Sequence, residues 1–315
     1  MKKLTKLFLL MVVIIVSIVA VLGFTACAND VIDMQIIAVS RESGSGTRSQ
    51  WDSSIHNNLD GGARVTLASW LAQPGNSQLA GEMQNGQPGV VTRIRSQRNA
   101  IGYASLSAVE NDSNLRVLNI GGFAPGATGY PTALARDYVI LTYENVDLLP
   151  ISQLFLDFIQ STQGQAIVEG EGYDFSVSNP IPFTAPTSRP SGQTGPVQVR
   201  GSTSVEPVMQ ELIDGFVAAV SWAVVGDFDF QAGGSGQGVT AGSGGTIQGS
   251  EPNRTIGMSS NAAHIDTANA STFFLAQDTM AVIVHRDNPL TNITMEQLFA
   301  IYTGAATAWR DIIEA

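Results

Sequence analysis

Cysteine, histidine and charge are scarce in this chain. Its 315 residues include one cysteine, Cys27, which excludes a framework of internal disulfides. The three histidines, His56, His264 and His285, form no ligand-spaced cluster, so no metal centre is expected. Charged residues make up 14% of the chain, and acidic outnumber basic by 27 to 16, for a net charge of −11. With no positive field to attract a phosphodiester backbone, non-specific nucleic-acid binding is excluded as the task. Any anion bound here must be held by local donors, against the field of the whole molecule. No G-x-x-x-x-G-K-[ST] occurs and no lysine follows the glycines, so a nucleotide P-loop is not indicated. None of the glycine-rich serines completes G-x-S-x-G, so a nucleophile elbow has no direct support. No cofactor is expected.

What is abundant is small and uncharged: glycine, serine and threonine. The length suffices for one large or two ordinary domains with real cores. The first residues have the pattern of a targeting segment. "MKKLTK" is a positive start, "LFLLMVVIIVSIVAVLGF" an apolar run, and small residues lead into Cys27. Residues 1–27 are therefore expected to be a signal peptide of the bacterial lipoprotein kind, with Cys27 as the lipidation site. Phe24 departs from the aliphatic residue usual three positions before that cysteine. The alternative is an uncleaved membrane anchor, because the run is nearly long enough to span a bilayer. Either reading places the rest of the chain outside the cytoplasmic membrane.

Downstream, short β-rich runs alternate with amphipathic stretches. Strands are expected at 35–39, 100–104, 115–120, 138–142, 197–200, 254–258 and 279–284, and helices at 47–57, 148–162, 164–169, 205–220 and 294–302. Thr294 with Gln297 three residues on has the form of a capping box. This alternation indicates an α/β architecture with a largely parallel sheet. Residues 178–196, "SNPIPFTAPTSRPSGQTGP", hold five prolines and no period, and are expected to be an extended linker.

On both sides of that linker, strands end in glycine- and hydroxyl-rich turns that open helices. "SRESGSGTR" (40–48) combines an arginine, small hydroxyls and two glycines. "RGSTSVEP" offers Ser202, Thr203 and Ser204. "GGSGQG" follows the expected strand "FDFQ" and offers Ser235, and "IGMSSN" offers Ser259 and Ser260. Glycines allow close backbone approach, helix N-termini favour negative charge, and arginine supplies a planar fork for an oxyanion. Singly, each is an ordinary cap or turn; four together point to an anion cradle. Trp51, one turn beyond Thr47, is read as packing and as a fluorescence reporter. A surface enzyme acting on phosphate or carboxylate esters through a cradle serine and His264 or His285 is the competing reading, with no motif of its own.

The segments "SRESGSGTR", "AIGYASL", "STQGQAIVEGEGY", "GSTSVEPVMQEL", "GGSGQGV", "TIGMSS", "AVIVHRDNPLTNITMEQLFAIYTG" and "TAW" together resemble the phosphate-binding proteins of bacterial ABC phosphate importers. The resemblance covers most of the chain outside the targeting segment, the linker and residues 56–90. Residues 200–315 look like the family's first half and 34–175 like its second, so the halves stand in exchanged order, as in a circular permutation. The resemblance implies a type II periplasmic-binding-protein-like α/β fold of two lobes with mixed, mainly parallel sheets and a ligand cleft between them. One lobe would comprise 31–125 plus 284–315. The other would be 126–283, with the linker as an external excursion and hinge crossings near Tyr130-Pro131 and "HRDNP". It implies a binding protein rather than an enzyme: inorganic phosphate is captured and delivered to ABC permease subunits, with the membrane reached through the lipid anchor. Arg41, Ser45, Gly46, Thr47, Thr203, Ser204, Ser235 and Ser260 match the anion ligands, and Glu42, Ser43, Gly44 and Ser259 stand beside them. Ser43 replaces an aspartate common in the family, the group that would accept the proton of hydrogen phosphate. That substitution opens the alternative of another oxyanion, sulfate or molybdate. Asn261 and Thr255 also depart from common family residues.

Overall fold

A computed structural model describes residues 31–59, 61–76, 82–175, 179–245, 249–262, 265 and 269–314. The targeting segment, Cys27 and His264 lie outside the described residues. Among the described residues, ten strands form one continuous mixed sheet. In chain order they are β1 (Ile37–Arg41), β2 (Glu82–Gln84), β3 (Ala100–Ser105), β4 (Leu115–Val117), β5 (Ala135–Tyr143), β6 (Asp174–Phe175), β7 (Val197–Gly201), β8 (Phe228–Gln231), β9 (Thr255–Ser259) and β10 (Ala270–His285). The spatial order is β8-β7-β9-β5-β10-β3-β1-β2, with β4 and β6 paired to β10.

The two ends of the sheet are parallel triplets, β3-β1-β2 and β8-β7-β9. Between them run two strands antiparallel to each other and to their outer neighbours, β5 and β10. β10 has 16 residues, against a usual strand of about five or six. Its first part pairs with β5 and its second with β3, so one strand serves both triplets.

Apolar contacts divide at the middle of these strands. Leu134, Met280, Val282 and Val284 pack with Trp51, Tyr103, Leu298 and Trp309 in one core, beside a smaller cluster under helix α2 (Gly86–Ser96). Tyr138, Ile140, Leu275 and Ala276 pack with Phe155, Met209, Leu212 and Phe216 in the other. The change of core falls at 135–137 on β5 and 277–279 on β10. The sequence-based lobe limits, by comparison, stand at 125/126 and 283/284.

The parallel triplets place their strand C-termini, and the helices that follow, toward one crevice. These helices are α1 (Gly46–Ser54) after β1, α5 (Glu206–Ala219) after β7 and α6 (Ser235–Gly242) after β8. Helices α3 (Pro150–Ile159) and α4 (Thr162–Gly170) cover the second core, and α7 (Met295–Thr303) the first. Thr294 and Gln297 do form a reciprocal cap on α7, and Gly304 closes it in the left-handed conformation.

The proline-rich segment is irregular but pinned along the second lobe. Phe183 and Ala185 pack on its core, the Trp222 indole donates to the Pro186 carbonyl, and Arg189 pairs with Asp227 while lying over the Trp222 ring. At the other side of the molecule, Met34 and Ile36 bond to Trp309 and Thr307, and Asp33 pairs with Arg310. Among the described residues no helix is long and apolar enough to cross a membrane.

Candidate functional site

The "SRESGSGTR" stretch folds as the sequence suggested, for local reasons. β1 ends at Arg41, Gly44 takes φ +81°, and Ser45 caps α1 by accepting from the Arg48 amide at 3.2 Å. Trp51 fixes the helix to the first lobe: it is fully buried, stacked on Tyr103 at 4.2 Å and edge-on to Tyr302 at 5.2 Å. Such aromatic pairs contribute about 0.5–1.5 kcal/mol each beyond their buried area. Tyr302 donates to the Val39 carbonyl, and the Tyr103 hydroxyl meets Ser40 and the Arg41 amide, so the end of β1 is held from beneath.

All eight residues carried over as ligands lie at the crevice. Arg41, only 2% exposed, donates through Nη2 to Thr203 Oγ1 at 2.8 Å, across 162 residues of sequence. The Thr47 hydroxyl lies 2.9 Å from Ser204 Oγ and 3.4 Å from Ser260 Oγ. Ser235 and Ser260 hydroxyls are 3.2 Å apart, and the Ser260 amide donates to Ser235. Gly46 faces this pair so closely that an added Cβ would meet Ser235 Oγ at 2.5 Å. At the mouth the Gly236 amide donates to the Gly44 carbonyl at 3.0 Å, a backbone bond between lobes. There α1 and α6 line a groove of about 500 Å³ that reaches Ser45, Gly46 and Ser235 and includes Ser43, Arg48, Asp52 and Thr240.

The neighbouring residues separate. Glu42 holds Arg41 in a two-point pair, both contacts 2.8 Å, and accepts from the Gly86 amide. Burial alone would raise its carboxyl, but the bonds from Arg41 and Gly86 outweigh that and lower it. Ser43 is exposed on the turn. Ser259 is buried, yet its hydroxyl is engaged with the Asn261 backbone and only shapes the loop.

Sequence reasoning missed a second guanidinium. Arg136 and Asp278 form a buried ion pair at 2.7 Å, with 1% and 2% side-chain exposure. Arg136 Nη1 donates to Thr47 Oγ1, and Asp278 also accepts from Tyr138 at 2.9 Å and Ser105 at 2.6 Å. Burial keeps the Tyr138 phenol protonated by pushing its pKa far up. Both charges precede apolar runs, where a charge reads as an exposed strand end. The available signal was a charge just ahead of each central apolar run, Arg136 before "YVIL" and Asp278 before "TMAVIV", of opposite sign.

The arrangement is one of donors. The first amides of α1, α5 and α6 have no intrahelical acceptors, and these helices start at the crevice with their positive ends. Each nearby arginine is already matched by a carboxylate, so the crevice is close to neutral before any ligand enters. The cradle serines bond to one another, to Thr47 and to backbone. His285 sits at the far end of β10 against Asp287 and His56 against the Ser54 carbonyl, so neither supplies these serines with a base. Among the described residues no cluster of three metal-ligating side chains occurs.

The chain is 30% identical over 298 residues to the phosphate-binding protein PstS 2 of Streptococcus agalactiae, covering 91% of this chain and 92% of that protein. The chain belongs to the phosphate-binding protein family. Another member, PstS 2 of Streptococcus pneumoniae, is 26% identical over 306 residues, covering 92% of this chain and 94% of its own length. A model described as a PBP superfamily domain matches residues 184–315. The crystal structure of a phosphate ABC transporter phosphate-binding protein from Streptococcus pneumoniae aligns with TM-score 0.58 and 26% identity, over 89% of this chain and all of that one. The family's α/β binding-protein fold is thus the fold of this chain.

Proposed function

We propose that this family member binds inorganic phosphate in the crevice between its lobes and delivers it to an ABC permease outside the cytoplasmic membrane, held there through Cys27. The observation that carries the reading is the meeting of Arg41 with Thr203 at 2.8 Å, two residues from opposite lobes and opposite sides of the linker. A dianion cannot be buried unpaired, so affinity rests on satisfying its oxygens. Micromolar binding corresponds to about −8 kcal/mol, and a handful of charge-assisted bonds at ~1.5–3 kcal/mol each supplies it after closure costs. Arg41, Ser45, Gly46, Thr47, Thr203, Ser204, Ser235 and Ser260 are the proposed ligands.

Arg41→Ala is expected to abolish measurable phosphate binding with the fold intact. Calorimetric titration of that variant checks it, and a wild-type-like isotherm removes Arg41 from the site. A second reading, another oxyanion, is favoured by one observation: Ser43 is exposed and has no carboxylate. Glu42, the carboxylate paired with Arg41, is the proposed acceptor for the proton of hydrogen phosphate. Competitive titration of phosphate, sulfate and molybdate, followed through tryptophan emission, separates the two.

The exchanged order of the halves belongs to the same proposal, as an order shared with the streptococcal relatives, each of which matches this chain in one stretch over more than nine-tenths of both lengths. Its support is the contact of residues 33–36 with 307–310, which a chain rejoined elsewhere requires.

A further inference from the structure

Arg136 and Asp278 are direct register partners on β5 and β10. They stand where the apolar core changes from one lobe to the other. Burying an ion pair is no economical way to stabilise such a place, because desolvation offsets most of the attraction and an apolar pair of similar volume serves as well. The pair has, however, a directional consequence. A guanidinium only donates, so the bond from Arg136 Nη1 fixes Thr47 Oγ1 as acceptor on that side. The single Thr47 proton must then point elsewhere, and the atoms within reach are Ser204 Oγ and Ser260 Oγ in the crevice. Asp278, through bonds from Ser105 and Tyr138, holds Arg136 in place. The second hydroxyl of the crevice has the same relation to Arg41, which donates to Thr203.

We propose that Arg136 is a positioning residue for the bound oxyanion: from the strands that cross between the lobes, it orients the Thr47 hydroxyl as a donor into the crevice. The proposal rests on the anion-binding reading above. Thr47 donates to the anion, Arg136 fixes the direction, and Asp278 fixes Arg136. A loss of this kind acts on binding rather than on the fold, which separates it from a purely structural ion pair.

The test is a double-mutant cycle on the full chain, with inorganic phosphate as probe, calorimetry for affinity and thermal unfolding in parallel. The neutral pair R136Q/D278N removes both charges; glutamine ends at the level of Arg136 Nε, so it can still meet residue 278 but lacks the Nη1 that reaches Thr47. It is expected to unfold cooperatively near the wild-type temperature and to bind phosphate on the order of 10- to 100-fold more weakly, the effect of one misdirected bond to a charged ligand. T47V is expected to cost a similar factor in the wild-type background and little further in the R136Q/D278N background. Arg136→Lys, which keeps the charge but loses the planar fork, gives the same comparison should the neutral pair not fold, and is expected to bind phosphate more weakly. Unchanged affinity in R136Q/D278N or R136K, or losses that simply multiply with T47V, overturns the positioning role alone. A wild-type chain that binds no oxyanion overturns the functional reading itself and this inference with it.

Discussion

Replacing Gly46 by alanine separates closure of the crevice from stability of the lobes. Gly46 opens α1 with no left-handed backbone, so alanine is compatible with its conformation and improves helix propensity, by up to about 1 kcal/mol in a helix interior. The new Cβ, however, would lie 2.5 Å from Ser235 Oγ, 2.9 Å from Ser235 Cβ and 3.1 Å from Ser260 Oγ. Rotating the serine moves its oxygen but not its Cβ. Relief of the fixed contact must therefore come from moving α1 away from α6, and bringing the 2.9 Å Cβ contact to an ordinary 3.4 Å takes about 0.5 Å. The same movement stretches the Thr47–Ser204 contact from 2.9 Å and the Gly236–Gly44 bond from 3.0 Å to the edge of hydrogen-bonding reach. Weakening both, at up to about 1 kcal/mol each, corresponds to a closed state weaker by up to roughly 30-fold. Calorimetric phosphate titration alongside thermal unfolding of Gly46→Ala is expected to show that drop at an unchanged or higher melting temperature. Affinity within twofold of wild type, with the fold intact, refutes the claim that close apposition of α1 and α6 is what holds the anion.

The remaining expectations concern charge and connectivity. The Glu42 carboxyl is lowered in the folded state below its ordinary 4.5, so its stabilising effect is full above that value and is lost as pH falls below it. Glu42→Gln should therefore unfold more easily than wild type at neutral pH, by on the order of 1 kcal/mol for one partly exposed pair, with the difference shrinking in denaturant titrations below pH 4.5. A gap that widens on acidification contradicts the assigned direction. The junctions also predict a rearranged chain: opened at Ser191, joined from Glu314 to Val31 through a short Gly-Ser segment, it should fold and bind phosphate as the natural order does. Loss of cooperative unfolding in that chain argues against interchangeable junctions.

Most of the elements were legible because their physics is local. β1, β3, β7 and β9 are short apolar runs that end in turn residues, and α7 carries its cap in Thr294 and Gln297. Residues 56–96 were not legible. There a short hairpin at 56–66, the helix at Leu67–Leu71 and α2 are built from polar, glycine- and proline-containing sequence that packing, not propensity, holds in shape. The full length of β10 was also hidden. Only its second half is continuously apolar, while "ASTFFLAQD" becomes strand by pairing with β5 through a bulge near Leu275. The proline-rich composition of 179–196 is plain in the sequence, but its attachment through Phe183, Pro186 and Arg189 depends on a surface that only the folded second lobe provides.

The sequence by itself determined the kind of chemistry. Glycines, small hydroxyls and an arginine at successive strand ends are donors for an oxyanion, because composition and spacing decide which groups a strand-to-helix turn can present. Tertiary structure alone decided which donors share a crevice, that Glu42 rather than Ser43 pairs with Arg41, and that Arg136 and Asp278 stand behind Thr47. The Glu42–Arg41 pair joins neighbours in the chain, but the contacts of Thr47 with Arg136 and Ser260 span 89 and 213 positions. They follow from the register of β5 on β10 and from the two triplets facing each other, which no local pattern in the chain encodes.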